Sequence, residues 1–143
     1  MPALVDSGSV RYWLVNSGTS EAPFSGDLRR RYREWAGQYG EVQMFPWKPA
    51  WIAPGDLLIH RAVGSAGNRL VAVGEVIIGA YPSGHERWPW QVGRRLVHVC
   101  PDLEVAPTIA DIGETASGLR VMKEMGEEAG LLAQQLIAAA ASS

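Results

Sequence analysis

Cysteine is nearly absent from these 143 residues: Cys100 stands alone, which excludes an internal disulfide and a thiolate metal cluster. Long apolar runs are missing too. The longest, "LVAVGEVIIGAY", is broken by glycine and glutamate and falls short of a bilayer span, so no membrane partner is expected. The opening "MPALVDSGSV" has neither the basic flank nor the apolar stretch of a signal peptide, which makes a cytoplasmic location the expectation. Catalytic signatures are also wanting. His60, His85 and His98 have no ligand spacing between them, and the two that fall in strands, His60 and His98, read as satisfied structural residues. Neither "GSAGNRL" nor "VGEVIIGAY" has the strand–glycine–helix order that aims amides at phosphate. Cys100 has no basic neighbour in sequence and reads as a buried, inert thiol. Paired carboxylates of the glycosidase sort cannot be assigned. The expectation is no catalytic residue, no metal and no cofactor.

What is present is an ordinary soluble composition, 47% apolar and 20% charged, on a chain long enough for one domain spanning residues 1–143. The net charge of −2 conceals an asymmetry. Residues 1–100 hold eleven Lys/Arg against eight Asp/Glu, whereas residues 101–143 hold two against seven. The first part can face a polyanion and the tail cannot. Six tryptophans in so short a chain are the compositional oddity.

Val10–Val15 is β-branched and aromatic and reads as a strand ending at "NSGTS". Residues 27–39 read as a helix capped by Asp27, with Leu28, Tyr32 and Trp35 on one face. "EVQMFPW" is a short strand halted by Pro46. "LLIHRAV", the connection "GSAGN" and "RLVAVGEVIIGAY" form a hairpin, and "WQVGRRLVHV" alternates as a last strand. Beyond Pro101 the chain reads as helical pieces interrupted by Gly118, Gly126 and Gly130. Short strands without alternating long helices exclude a doubly wound sheet. The expected fold is α+β: a small, mostly antiparallel β-barrel or curved sheet over about 10–105, with flanking helices and a C-terminal helical extension over about 107–143.

Two features could carry binding. Arg29, Arg30 and Arg33 lie in a basic run that reads either as a solvated helix face or as a phosphate-contacting one. Trp13 and Trp35 fit core positions, but Trp47, Trp51, Trp88 and Trp90 flank proline-bearing turns, "FPWKPAWIAP" and "RWPWQ". Rings placed at strand ends can line a pocket mouth and stack on a nucleobase. Pro89 breaks the period between Trp88 and Trp90, so alternation leaves open which of the two packs inward.

The run of "RYWLVNSG", "GDLLIH", "RLVAVGEVIIGAY" and "RWPWQVGRRLVHV", in that order over about residues 10–105, resembles an EVE domain of the PUA-like superfamily, a relative of YTH domains. The resemblance implies a barrel whose aromatic pocket takes a flipped, modified base. It assigns Asn16 and Ser17 to the polar end of the first strand. Ser17 matches the family, while Asn16 stands where lysine is common. Trp47, with Trp51 as fallback, becomes the cage tryptophan, and Trp88 or Trp90 the late aromatic wall. Gly74 allows close backbone approach, with Glu75 beside it.

The function so implied is a non-catalytic module recognising a methylated or hydroxymethylated cytosine, or a methylated adenine, in DNA or RNA. The alternatives are an enzyme on nucleic acid or nucleotide, for which Glu75, His60 and Tyr81 are the nearby candidates, and a small-molecule or protein-interaction domain. The acidic tail is expected to stay off the nucleic acid and outside the pocket. Its sticky face of Leu131, Leu132, Leu136 and Ile137 should pack on the barrel or, alternatively, form a homodimer.

Overall fold

In the computed structural model, which describes residues 10–17, 26–62, 68–114 and 122–142, helix α1 (Leu28–Tyr39) begins at the expected cap. The Asp27 carboxylate accepts from the Arg30 amide at 3.1 Å, satisfying one of the orphan donors of the first turn. Gly40, at φ 89°, ends the helix. Leu28 and Tyr32 are buried, and Trp35 packs edge-on against Tyr32 at 5.8 Å. The expected hairpin connection falls largely on residues 63–67, and Gly118 in 115–121; both lie outside the described residues.

The strands are β1 (Tyr12–Ser17), β2 (Val42–Phe45), β3 (Leu57–Ala62), β4 (Leu70–Pro82), β5 (Trp90–Val99) and β6 (Met122–Met125). They form one mixed sheet in the order β2-β5-β4-β3-β1-β6, in which β1 runs parallel to β3 and every other pairing is antiparallel. The sheet curls. Three strands separate β2 from β1, yet Gln43 Nε2 donates to the Asn16 carbonyl at 3.1 Å. Trp13, Val15, Phe45, Leu58, Val76 and Val92, drawn from five strands, pack in one cluster and define the inner face. The result is a half-barrel with two helices, an α+β fold.

The tail departs from expectation. Its "MKEM" stretch is strand β6, paired with β1 in the main sheet, and residues 109–112 form a single 3-10 turn. Helix α2 (Glu127–Ala141) follows, covering the opposite face of the sheet. Its buried stripe is Gly130, Ala133 and Ile137. The expected Leu131 and Leu132 are exposed, and Leu136 is half-buried. The reason is Gly130: a methyl group there would fall 2.5 Å from Tyr12 Cβ, so only glycine lets the helix backbone seat on that ring. Tyr12 and Leu14 point to this face, while Trp13 and Val15 point inward, as strand alternation requires.

Candidate functional site

The inner face is apolar at one end and polar at the other. At the end holding the start of β1, Trp13 Nε1 donates to Asp56 Oδ2 at 3.0 Å, and the Ala53 amide donates to the same oxygen at 3.0 Å. The buried carboxylate is thereby satisfied. At the other end, alternation carries Ser17 inward after Val15, His60 after Leu58, and Arg94 after Val92. Helix α1 closes that end with Tyr32.

These four side chains form a buried polar cluster. Ser17 Oγ bonds Tyr32 OH at 2.8 Å and His60 Nδ1 at 2.9 Å. The hydroxyl has a single proton, so it donates to at most one of these neighbours and accepts from at least one. Tyr32 packs edge-on to His60 at 5.8 Å, and the Arg94 guanidinium lies over the Tyr32 ring at 5.6 Å. Burial first, then the Arg94 charge, holds the His60 pKa well below its usual value and keeps the ring neutral. Burial pushes the Tyr32 phenol above its usual range, and burial lowers the Arg94 pKa. Gly74 makes room: a Cβ there would sit 2.9 Å from Arg94 Cδ and 3.2 Å from His60 Nε2. The close approach that glycine allows is thus taken by Arg94 and His60. His60 is only half satisfied, contrary to the expectation, because its Nε2 is buried without a hydrogen-bond partner among the described residues, as is Arg94 Nε. Such atoms call for an explanation, since each costs on the order of 1–3 kcal/mol.

The sequence-derived residues are placed in two groups. Asn16 and Ser17 end β1 at the polar end. Asn16 Oδ1 accepts from Arg61 Nε at 3.1 Å and Nη2 at 2.8 Å, so a guanidinium stands beside the position where the resembled family carries lysine. The tryptophans gather at the opposite end, because β5 begins and β2 and β4 finish there. Trp90 pairs with Phe45 and packs against the apolar inner cluster, with Lys48 Nζ 5.1 Å above its ring. Trp47 lies 5.9 Å from Phe45 and is 42% exposed, and Trp51 is 68% exposed. Trp88 is half-buried in the loop before β5, its carbonyl bonded by Ser83 Oγ and its amide by His85 Nδ1. The two groups are linked through β2, whose Gln43 bonds the Asn16 carbonyl and whose Phe45 pairs with Trp90.

Of the arginines, Arg30 pairs with Glu34 at 3.6 Å on an exposed face, and Arg33 is exposed. Arg29 is tied down, donating to the carbonyls of Val99 at 3.2 Å and Ala141 at 2.6 Å. Glu75 pairs with Arg95 at 2.6 Å on the surface. Cys100 is buried, its thiol pushed up to about 11 chiefly by desolvation. Sequence reading missed Arg94 and Tyr32 as site residues. The signal for Arg94 was the inward phase of Val92-Gly93-Arg94, a charge on the buried side of an alternating strand.

No family model and no curated protein matches the chain. Solved structures do. The Mmi1 YTH domain, in complex with RNA, superposes with a TM-score of 0.58 at 14% identity, over 90% of this chain and 78% of that one. The YTH domain of Zygosaccharomyces rouxii MRB1, in complex with N6-methyladenosine RNA, gives 0.50 at 12% identity, over 90% and 86%. A structural-genomics protein of Agrobacterium tumefaciens gives 0.55 at 16% identity, over 89% and 93%. The fold is that of YTH domains. Within this YTH-type fold, the polar cluster occupies the end closed by α1 and the tryptophans the open end.

Proposed function

We propose that this protein is a non-catalytic binding module of the EVE type that recognises a modified nucleobase in RNA or DNA. The observation that carries the reading is the YTH-type half-barrel, a fold solved elsewhere with N6-methyladenosine RNA, bearing exposed indole rings at one end. Trp47 and Trp51 offer ring faces on which a flipped base stacks, and Lys48 and Trp90 form the adjoining wall. Trp88 borders the same end. Asn16 with Arg61 and the exposed Arg30 and Arg33 contact the backbone of the strand that carries the base. An enzymatic reading would need the Ser17–His60 pair as nucleophile and base. Both are buried, and Tyr32 OH already occupies the serine oxygen.

The test is equilibrium binding of short RNA and DNA strands carrying N6-methyladenine, 5-methylcytosine, 5-hydroxymethylcytosine or no modification. One modified strand should bind more tightly than its unmodified twin. Trp47→Ala should weaken that strand by about 5- to 150-fold, the equivalent of one lost base stack, while the protein stays folded because the residue lies in a turn outside the strands and is 42% exposed. Equal affinity for every strand would remove the proposal. Mass analysis of the recovered strands checks that none has been altered.

A further inference from the structure

Beyond its pairing with β2, which ends at Gly93, the upper part of β5 faces α1 across an open cavity of about 450 Å³ flanked by the last turn of α2. That size suits a small polar ligand or one nucleotide unit. Tyr32 and Arg94 line it, with Arg29 and Arg33 from α1 and Glu41 as the acidic group. The end of α2 also lines it, through Ala141 and Ser142, so the acidic tail does complete a pocket wall.

Arg94 is 8% exposed, yet its side chain makes no ion pair or hydrogen bond among the described residues, and its Nε is buried without a partner. Burying a guanidinium without an anion is costly. Tyr32 stays neutral because burial raises its pKa. The Glu41 carboxylate acts on Arg94 only through space, partly offsetting the burial that lowers its pKa, and no acidic side chain bonds the guanidinium directly among the described residues. Three guanidinium groups therefore surround the cavity against one carboxylate. Arg94 is also pre-oriented, by the Tyr32 ring on one side and the bare Gly74 backbone on the other. Arg29 is held by Val99 and Ala141, and Arg33 forms no ion pair among the described residues.

We infer that this cavity is a phosphate-binding subsite anchored by Arg94 and completed by Arg33. A guanidinium grips phosphate oxygens with parallel, charge-assisted hydrogen bonds, and the anion supplies the directly bonded partner that the buried guanidinium lacks. The assignment of that phosphate to the backbone of a nucleic acid, rather than to free phosphate, rests on the proposed function.

The experiment follows backbone amide shifts of the labelled full chain during titration with inorganic phosphate, with an unmodified single-stranded oligonucleotide, and with a modified nucleoside lacking phosphate. Phosphate and oligonucleotide should shift the amides of Arg33, Ala36 and Val97–Val99. Arg94→Gln and Arg33→Ala should each weaken both by about tenfold, the loss of a charge-assisted hydrogen bond, and leave the nucleoside unaffected. Glu41→Gln, an exposed change, should strengthen phosphate binding by roughly 1.5- to 5-fold. If Arg94→Gln fails to fold, Arg33→Ala and Glu41→Gln still decide the matter through their opposite signs. Absence of shifts in these amides, or shifts that neither surface variant alters, overturns the subsite. Phosphate binding here without preference for any modified base would sink the base-reading proposal and leave the subsite standing. Free phosphate binding without oligonucleotide binding would assign it to free anions.

Discussion

Replacing Gly74 with alanine puts a methyl group into the space shared by Arg94 and His60. Two effects oppose each other. Alanine restricts the unfolded chain, which favours folding by about 0.4–1 kcal/mol. Against that, the new Cβ meets Arg94 Cδ at 2.9 Å and His60 Nε2 at 3.2 Å. The imidazole is pinned by Ser17 and the guanidinium lies over the Tyr32 ring, so neither side chain yields freely. Overpacking of this kind costs about 1–3 kcal/mol, and the clash wins by roughly 1–2 kcal/mol. With an unfolding entropy near 2.1 cal/mol/K per residue over 143 residues, each kcal/mol moves the melting temperature by about 3 °C. Calorimetry should therefore show Gly74→Ala melting about 3–7 °C below the parent. The internal control is Gly79→Ala in the same strand, where the nearest atoms to a Cβ are 3.9 Å away and the entropic term acts without the clash. If Gly74→Ala melts with or above Gly79→Ala, Arg94 and His60 do not need the space that glycine leaves, and the account of the polar cluster fails.

Three further outcomes follow from the same packing. His60 stays neutral when folded but takes up a proton near pH 6.5 when unfolded, so stability should fall as pH drops below about 6.5, by up to about 1.4 kcal/mol per pH unit; melting curves of His60→Gln between about pH 7.5 and 5.5 should be flatter, and an equally steep profile would contradict the assignment. Ser17→Ala leaves the Tyr32 hydroxyl and His60 Nδ1 both buried without their bond, and urea unfolding should register a loss of about 2–4 kcal/mol; a loss under about 1 kcal/mol would show the cluster is not coupled through Ser17. On α2, Ile137→Ala should cost about 2–5 kcal/mol because the side chain is fully buried, whereas Leu131→Ala, 45% exposed, should stay within about 0.5 kcal/mol; comparable losses at both would mean the helix seats on a different face.

Local chemistry determined the elements themselves. The Asp27 cap, the stop at Gly40, Pro46 after β2 and the alternation of "WQVGRRLVHV" can be read directly, because each depends on backbone propensity within a few residues. The same alternation tells that Ser17, His60 and Arg94 point inward with Val15, Leu58 and Val92. It cannot tell which of these meet, since a strand's period encodes a face and not a neighbour. Register decided that. Pairing through β3 and β4 aligned the end of β1 with the end of β5 and brought Ser17, His60 and Arg94 together. Tertiary structure likewise decided the tail. Methionine, lysine and glutamate favour a helix in isolation, but the free edge of β1 offered "MKEM" a hydrogen-bonded partner, and pairing overrode propensity. Helical periodicity in α2 left two adjacent stripes open, and the missing Cβ of Gly130 chose between them, because only there can the helix backbone reach the Tyr12 ring.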